Sequence, residues 1–331
     1  MLEQTLADAE RALAQGERAA AARLLAHALE ADRQPESRAR VFRIAERHLL
    51  EQDPPAPVRS YAALPEHPLV SVVVATRNRP ALLADALASI LAQTYRHWEI
   101  VLVNDGGEPV EEIARALLAD RGAGERLRAF SHAESEGPAY ARNTGIAEAR
   151  GEVVAFLDDD DRLAPEHLQG LVASLAHARA GVAYSDCDIV MERLEDGSRI
   201  ELSRHRQPMP DTFNASLLLV RNYIPLNCCA FRAELFHAHG GFDELLSCLE
   251  DWELLLRLSK NAGFVHLAEA TAEYRVRAPE VRDSVSKTRP GDTASAFARI
   301  YGRHASADPL VAVAREAYRW LVLSGNYANL G

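Results

Sequence analysis

Residues 69–75 (LVSVVVA) run into Thr76-Arg77-Asn78-Arg79, residues 99–103 (EIVLV) into Asn104-Asp105-Gly106-Gly107, and residues 153–157 (VVAFL) into Asp158-Asp159-Asp160-Asp161. Each begins as a short apolar run and ends on a polar cluster. Runs of this length bounded by turn residues read as strands covered on both faces. Residues 126–130 read as a further strand. Between the strands, residues 80–93, 110–119 and 138–149 read as helices, the first with Pro80 at its opening turn. Strands and helices alternating in this order imply an α/β fold, with a Rossmann-like, mostly parallel sheet and helices on both faces. Ligands of such sheets bind beyond the carboxyl ends of the strands, where the three polar clusters fall.

Outward from this block the pattern changes. Residues 182–185 and 226–231 read as buried strands, and residues 189–202 as a hairpin turning at Asp196-Gly197. Glu250-Asp251-Trp252-Glu253 heads an amphipathic helix with Leu254, Leu255 and Leu258 inward. Residues 1–52 carry helical spacing broken near Gly16 and Pro35, which predicts three short helices resembling a helical-repeat hairpin. So small a unit cannot bury a core alone and is expected to pack on the next domain. Residues 53–68 hold five prolines in sixteen positions, the composition of an extended connector. Residues 293–323 read as two helices, with Ala296, Phe297, Ile300 and Tyr301 and then Val311, Val313, Ala317 and Leu321 inward. They can pack on the N-terminal helices or pair two copies. The expected organisation is a helical segment 1–52, a linker 53–68, a sheet domain 69–290 and a C-terminal helical extension 291–331.

The 331 residues are 48% hydrophobic and 26% charged, which excludes disorder, collagen and a coiled-coil rod. Lys+Arg 37 against Asp+Glu 48 leaves a net charge of −11. No long-range field then favours a nucleic-acid backbone, so no nucleic-acid partner is expected, and a polyanionic ligand needs local groups or a metal. No run approaches the roughly 20 apolar residues of a membrane span, and the N-terminus lacks the order of a signal peptide. The expectation is a cytoplasmic protein, at most peripheral at the inner face of a membrane. Cys187, Cys228, Cys229 and Cys248 form no C-x-x-C pair and are expected to be buried, reduced thiols, Cys228 and Cys229 pointing oppositely if on a strand. The histidines lack H-x-x-x-H spacing, which argues against zinc. Neither G-x-G-x-x-G nor G-x-x-x-x-G-K-[ST] follows the first strand, which disfavours a dehydrogenase or a P-loop enzyme.

Four consecutive carboxylates repel one another unless a cation or donors neutralise them. A hard divalent ion with oxygen ligands, Mg²⁺ or Mn²⁺, is one solution. The other is an acidic helix N-terminus, with Asp160 or Asp161 capping a helix that begins near Pro165. Asp105 likewise has two readings, a turn residue bonding its own backbone or an acceptor for a base or ribose. Glu250, Asp251 and Glu253 suit a first helical turn, where the macrodipole stabilises carboxylates.

Taken together, residues 70–79 (VSVVVATRNR), 89–95 (SILAQTY), 98–106 (WEIVLVNDG), Gly137 with 141–146 (ARNTGI), Gly151-Glu152 and 156–161 (FLDDDD) resemble a family 2 glycosyltransferase. The likeness runs from about residue 68 to about 286. It implies a GT-A fold, with a nucleotide-sugar-binding half (69–180) and an acceptor half (181–290). It implies that Ala75, Thr76, Arg77 and Asp105 line the nucleoside pocket. Asp158 and Asp160 fit the family's D-x-D pattern, with Asp159 facing ribose or sugar and Asp160, beside Asp158, holding the metal. The family's catalytic acidic residue falls in the Glu250-Asp251 pair, so Asp251 is the implied base. Glu250 and Trp252 would lie on the acceptor side, Trp252 as a wall or as simple packing. Residues 274–277 and 283–287 resemble a segment that closes over the diphosphate. Arg277 stands where many relatives carry a metal-ligating His, so it either grips the diphosphate or belongs to a surface loop. Arg77 stands where an aromatic residue is common, and its guanidinium plane can stack on a base.

Displacing a nucleoside diphosphate from an anomeric carbon with a neutral hydroxyl requires a base for the proton and an electrophile for the leaving group. Direct attack inverts the centre. The function expected is therefore metal-dependent inverting transfer from a nucleoside-diphosphate sugar, a UDP-sugar favoured, to a glycan, lipid-linked or protein-linked acceptor. Two other readings compete. A nucleotidyltransferase needs a Gly- and Lys/Arg-rich phosphate loop, which residues 76–79 do not supply. A non-catalytic nucleotide- or glycan-binding module would use the helical ends to recruit a partner.

Overall fold

A computed structural model describes residues 1–52, 60–195, 198–277 and 290–326. The linker residues 53–59, the Asp196-Gly197 turn and residues 283–287 lie outside the described residues. In chain order the elements are α1 (Leu2–Ala14), α2 (Arg18–Ala31), α3 (Pro35–Gln52), β1 (Val70–Thr76), α4 (Pro80–Leu91), β2 (Trp98–Asn104), α5 (Glu111–Ala119), β3 (Leu127–Ser131), α6 (Pro138–Glu148) and β4 (Val153–Asp158). Then follow β5 (Arg162–Leu163), α7 (His167–Ala178), β6 (Val182–Glu195), β7 (Ser198–Gln207), α8 (Ala215–Val220), β8 (Cys229–Arg232) and α9 (Glu234–His239). The chain continues through α10 (Glu250–Ser259), β9 (Phe264–Arg277), α11 (Pro290–Arg303) and α12 (Pro309–Leu323). Among the described residues no helix is long and apolar enough to cross a membrane.

The chain divides into two compact units, a helical one of residues 1–56, 214–223 and 288–331 and a sheet-based one of 57–213 and 224–287. In the helical unit the apolar stripes of α1, α2 and α3, including Leu6, Leu25, Phe42 and Leu49, meet Leu310, Ala314 and Leu321 of α12 in one core. Residues 214–223 belong here, although the sequence places them in the sheet domain. Asn214 explains how they are tied in. Its side chain accepts from Leu217 N at 2.7 Å, capping α8, and donates to Leu49 O at 2.8 Å.

In the other unit the strand order is β3-β2-β1-β4-β8-β6-β9-β5, with β7 on the far side of β6. Strands β1 to β4 are parallel, and the register sets Ala75 opposite both Val103 and Asp158, and Thr76 opposite Asn104. Three polar clusters widely separated in sequence therefore end level at one edge. The second half is mixed: β8 runs antiparallel to β4 and β6, while β9 runs parallel to β6.

Two local expectations change. Leu226–Cys228 is a single 3-10 turn, so of the two cysteines only Cys229 lies on a strand, and both are buried. Cys187 is also buried and Cys248 partly exposed, all four unbridged. Tyr274 and Arg277 lie in β9, which pairs with Ile189 and Glu192 of β6, rather than in a surface loop.

Candidate active site

The acidic turn after β4 distributes its four charges by giving each carboxylate a different environment. Asp159 points back to the end of β1, accepting from Thr76 Oγ1 at 2.7 Å and Arg79 Nη1 at 2.9 Å. Asp161 is buried, accepting from Asn227 Nδ2 at 2.9 Å and from the main-chain N–H of Arg275 at 2.7 Å. Asp160 accepts from Arg79 Nη1 at 2.9 Å, with Arg277 Nη2 at 3.9 Å, and Asp158 accepts from Arg142 Nη2 at 2.7 Å. No carboxylate of the turn caps a helix: α7 starts at His167 after Glu166, without a side-chain cap. Burial and the charges of Asp159 and Asp158 push the Asp160 carboxyl up to about 6, against the pull of Arg79 and Arg277.

Arg142 carries this turn across to the head of α10. Its guanidinium, held on α6, pairs with Asp158 on one side and with Glu250 on the other. Burial penalises its charge, but Asp158 and Glu250 outweigh that and hold it ionised. Asp251, the next residue, accepts from Trp252 N at 2.7 Å. Its carboxyl is pushed up to about 7, first by burial and then by the charge of Glu250, while Arg142 pulls it down. Glu253 pairs with Arg257, whose Nη atoms donate to the carbonyls of His239, Gly240 and Gly241. That loop also docks on α6, where Asn143 Nδ2 donates to Phe242 O at 3.0 Å. Gly241 permits the approach, because a Cβ there would meet Asn143 Oδ1 at 2.1 Å.

Asp105 is placed at the edge as expected but is saturated. One oxygen meets His132 Nδ1 at 2.9 Å and Glu136 N at 3.0 Å, and the other meets Ser135 Oγ at 2.7 Å and Gly137 N at 3.0 Å. Burial raises its pKa, and these donors reverse the effect and hold it below the ordinary carboxylate value. A carboxylate has about four acceptor positions, and all are filled from within. What Asp105 supplies is the shape of the loop after β3 rather than a vacant acceptor. Gly106, at φ +65°, lets that loop come close, since a Cβ there would meet the Glu134 backbone at 2.4 Å.

Of the remaining expected residues, Ala75 and Arg77 lie at the end of β1, Arg77 exposed. Trp252 is corrected: at 1% exposure it is packed in the core and offers no wall to an acceptor. Tyr274, 44% exposed, is the aromatic beside the carboxylates, its phenol pushed up by its surroundings and then by Asp161, Asp251, Asp158 and Asp160. Arg142 and Arg79 received no role from the sequence. Arg142 lies in ARNTGI, a stretch that contributes to the family resemblance but implies no role for this residue.

A divalent cation suits this donor set in a limited way. Among the described residues no group of three or more His, Cys, Asp or Glu is gathered for a metal. Asp158 and Asp160 are partly exposed, and each keeps one carboxylate oxygen without a partner among the described residues. Two carboxylate oxygens completed by phosphate and water are what Mg²⁺ or Mn²⁺ accepts.

The model of glycosyl transferase family 2 matches residues 71–239, which carry β1 to β4, Arg142 and the acidic turn. The chain is 29% identical over 192 residues to the uncharacterized glycosyltransferase YwdF of Bacillus subtilis, covering 58% of this chain and 68% of that one. It is 32% identical over 199 residues to the succinoglycan biosynthesis protein ExoO of Rhizobium meliloti, covering 58% and 56%. Two other relatives are matched over only 20% and 33% of their length. Among solved structures, TarS 1-349 of S. aureus in complex with UDP-GlcNAc shares the fold at TM-score 0.59 and 19% identity, over 78% of this chain and 74% of that one. The mannosyltransferase PcManGT of Pyrobaculum calidifontis, in complex with GDP-Man and Mn²⁺, does so at TM-score 0.56 and 19% identity, over 90% and 88%. The parallel strands, the level polar edge and the acidic turn thus coincide with a family model spanning half of the chain, and the chain belongs to glycosyl transferase family 2.

Proposed function

We propose that this chain transfers a sugar from a nucleoside-diphosphate sugar to a hydroxyl of a carbohydrate-containing acceptor, with Asp251 taking the acceptor proton. The observation that carries this reading is Arg142, which joins Asp158 of the acidic turn to Glu250 at the head of α10, beside a carboxylate whose pKa is about 7. A base works best when its pKa lies near the operating pH. Attack from the face opposite the leaving group inverts the anomeric centre.

Ala75, Thr76 and exposed Arg77 form the nucleoside side, with the loop that Asp105 fastens. Asp159 is held by Thr76 and Arg79, so it acts by fixing the turn beneath the sugar. Asp160 and Asp158 would hold Mg²⁺ or Mn²⁺, which when bound stabilises the leaving diphosphate. Arg79 and Arg277 present positive charge to the same group. Glu250 is kept in place by Arg142, and Tyr274 takes the acceptor-facing role that Trp252 cannot. The UDP-GlcNAc complex of TarS favours a UDP-sugar donor, and the GDP-Man and Mn²⁺ complex of PcManGT supports a metal. The name of ExoO supports a polysaccharide acceptor.

The test is a thermal-shift panel of UDP, GDP, ADP and CDP with and without Mn²⁺. A ligand at about a hundredfold its dissociation constant adds ~2.7 kcal/mol to the native state. A UDP shift that grows with Mn²⁺ is expected. A panel in which no nucleotide raises the melting temperature contradicts the reading.

A further inference from the structure

The hairpin of β6 and β7 holds a charged cluster that the chemistry above leaves unused. Glu192 on β6 is 1% exposed, yet two guanidinium groups reach it. Arg199 on β7 donates to it from Nε at 2.9 and 3.1 Å and from Nη2 at 2.8 Å, and Arg275 on β9 from Nη1 at 2.7 Å. Burying such charges costs several kcal/mol per ion, and apolar packing would hold a sheet equally well. The cluster's other contacts supply a reason for it. Arg199 Nη2 also donates to the main-chain carbonyl of Asp160, and the Arg275 main-chain N–H donates to Asp161 at 2.7 Å. Arg199 Nη1 lies 3.6 Å from Asp85 on α4, itself paired with Arg162 at 2.6 Å. Glu192 and Asp85 thus brace a guanidinium that touches the acidic turn at the residue proposed to hold the cation. A planar fork can serve a carboxylate and a carbonyl together, which an ammonium cannot do with the same geometry.

We propose that Arg199 is a positioning residue: braced by Glu192, it fixes the main chain at Asp160 so that the Asp160 and Asp158 carboxylates are set for a divalent cation. The inference rests on the metal-dependent reading above. Contacts that orient metal-binding carboxylates are worth about 10- to 100-fold in metal affinity.

The experiment measures Mn²⁺ binding by electron paramagnetic resonance in the presence of UDP, for wild type, Arg199→Ala, Arg199→Lys and Asp160→Asn. Melting temperature and metal-free UDP affinity are recorded beside it. Both Arg199 variants are expected to lose about tenfold or more in Mn²⁺ affinity while UDP alone binds as in wild type. Arg199→Lys, which keeps the charge opposite Glu192, should melt close to wild type and still bind Mn²⁺ weakly, so it decides the question even if the alanine variant does not fold. Wild-type Mn²⁺ affinity in Arg199→Lys, with binding lost in Asp160→Asn, overturns the role of Arg199 and leaves the metal reading standing. A wild-type protein that binds no Mn²⁺ overturns both.

Discussion

Two acidic runs meet at one end of the sheet, and they are relieved differently. In the turn of residues 158–161, Arg142 takes Asp158, Arg79 is shared by Asp159 and Asp160, and Asn227 with the Arg275 main-chain N–H takes Asp161, while Asp158 and Asp160, both partly exposed, each keep one oxygen without a partner among the described residues. At the head of α10 the guanidinium of Arg142 is engaged by Glu250 and Asp158, and Asp251 is pushed up to about 7 by burial and by Glu250. Burial and like charge act on both runs. On the proposed reading the turn is relieved by a cation and the helix head by a proton, and that difference would separate a metal-holding carboxylate from a base.

Asp251→Asn attacks the comparison most directly. Transfer should fall by roughly a thousandfold with donor binding retained, as measured by initial rates and UDP titration. Because the folded pKa of Asp251 lies above its unfolded value of 3.8, the stability it lends is full below that value and lost as pH rises through about 7. At about pH 8 the variant should therefore be more stable than wild type, by ~1 kcal/mol in urea unfolding. Wild-type turnover in this variant removes Asp251 from the chemistry.

Arg142→Met tests whether the two runs are coupled at all. Breaking the buried Arg142–Glu250 pair leaves Glu250 uncompensated and should cost ~3 kcal/mol of unfolding free energy, with the half-open Asp158 adding little. The Asp251 pKa should move up, since Arg142 pulls it down. Unchanged stability would show the two runs to be independent. The smallest effect is the wild-type pH profile. Asp251 must be ionised to accept a proton, so kcat/KM should rise about tenfold per pH unit and level off above about 7. A flat profile from about pH 5 to about 8 assigns the proton to another group.

The parallel half of the sheet is legible in sequence because β1, β2 and β4 are short, nearly continuous apolar runs covered on both faces and bounded by turn residues, too short to favour a helix. β7 and β9 are not. Phe264–Arg277 carries Glu, Arg, His and Thr along a strand whose partners are themselves partly charged, so its order comes from pairing with β6 and β5. The same limit applies within the site. Thr76, Asp158, Asp160 and Asp251 stand out because their motifs imply roles for them, while Arg142 lies in a motif, ARNTGI, that implies none. Its role exists only because α6 brings it to Asp158 and Glu250, 16 and 108 residues away. Trp252 failed for the complementary reason: exposure is not encoded in an aromatic beside a helix start, and packing buried it.

The sequence by itself determined the strand and helix alternation, the edge at which polar clusters end and the family, since these depend on local apolar period and on short motifs. Which carboxylate meets an arginine, which keeps an oxygen open and which is driven toward neutral pH was decided only by tertiary structure. Electrostatic energies depend on burial and on distances between groups far apart in the chain, and no local pattern contains either.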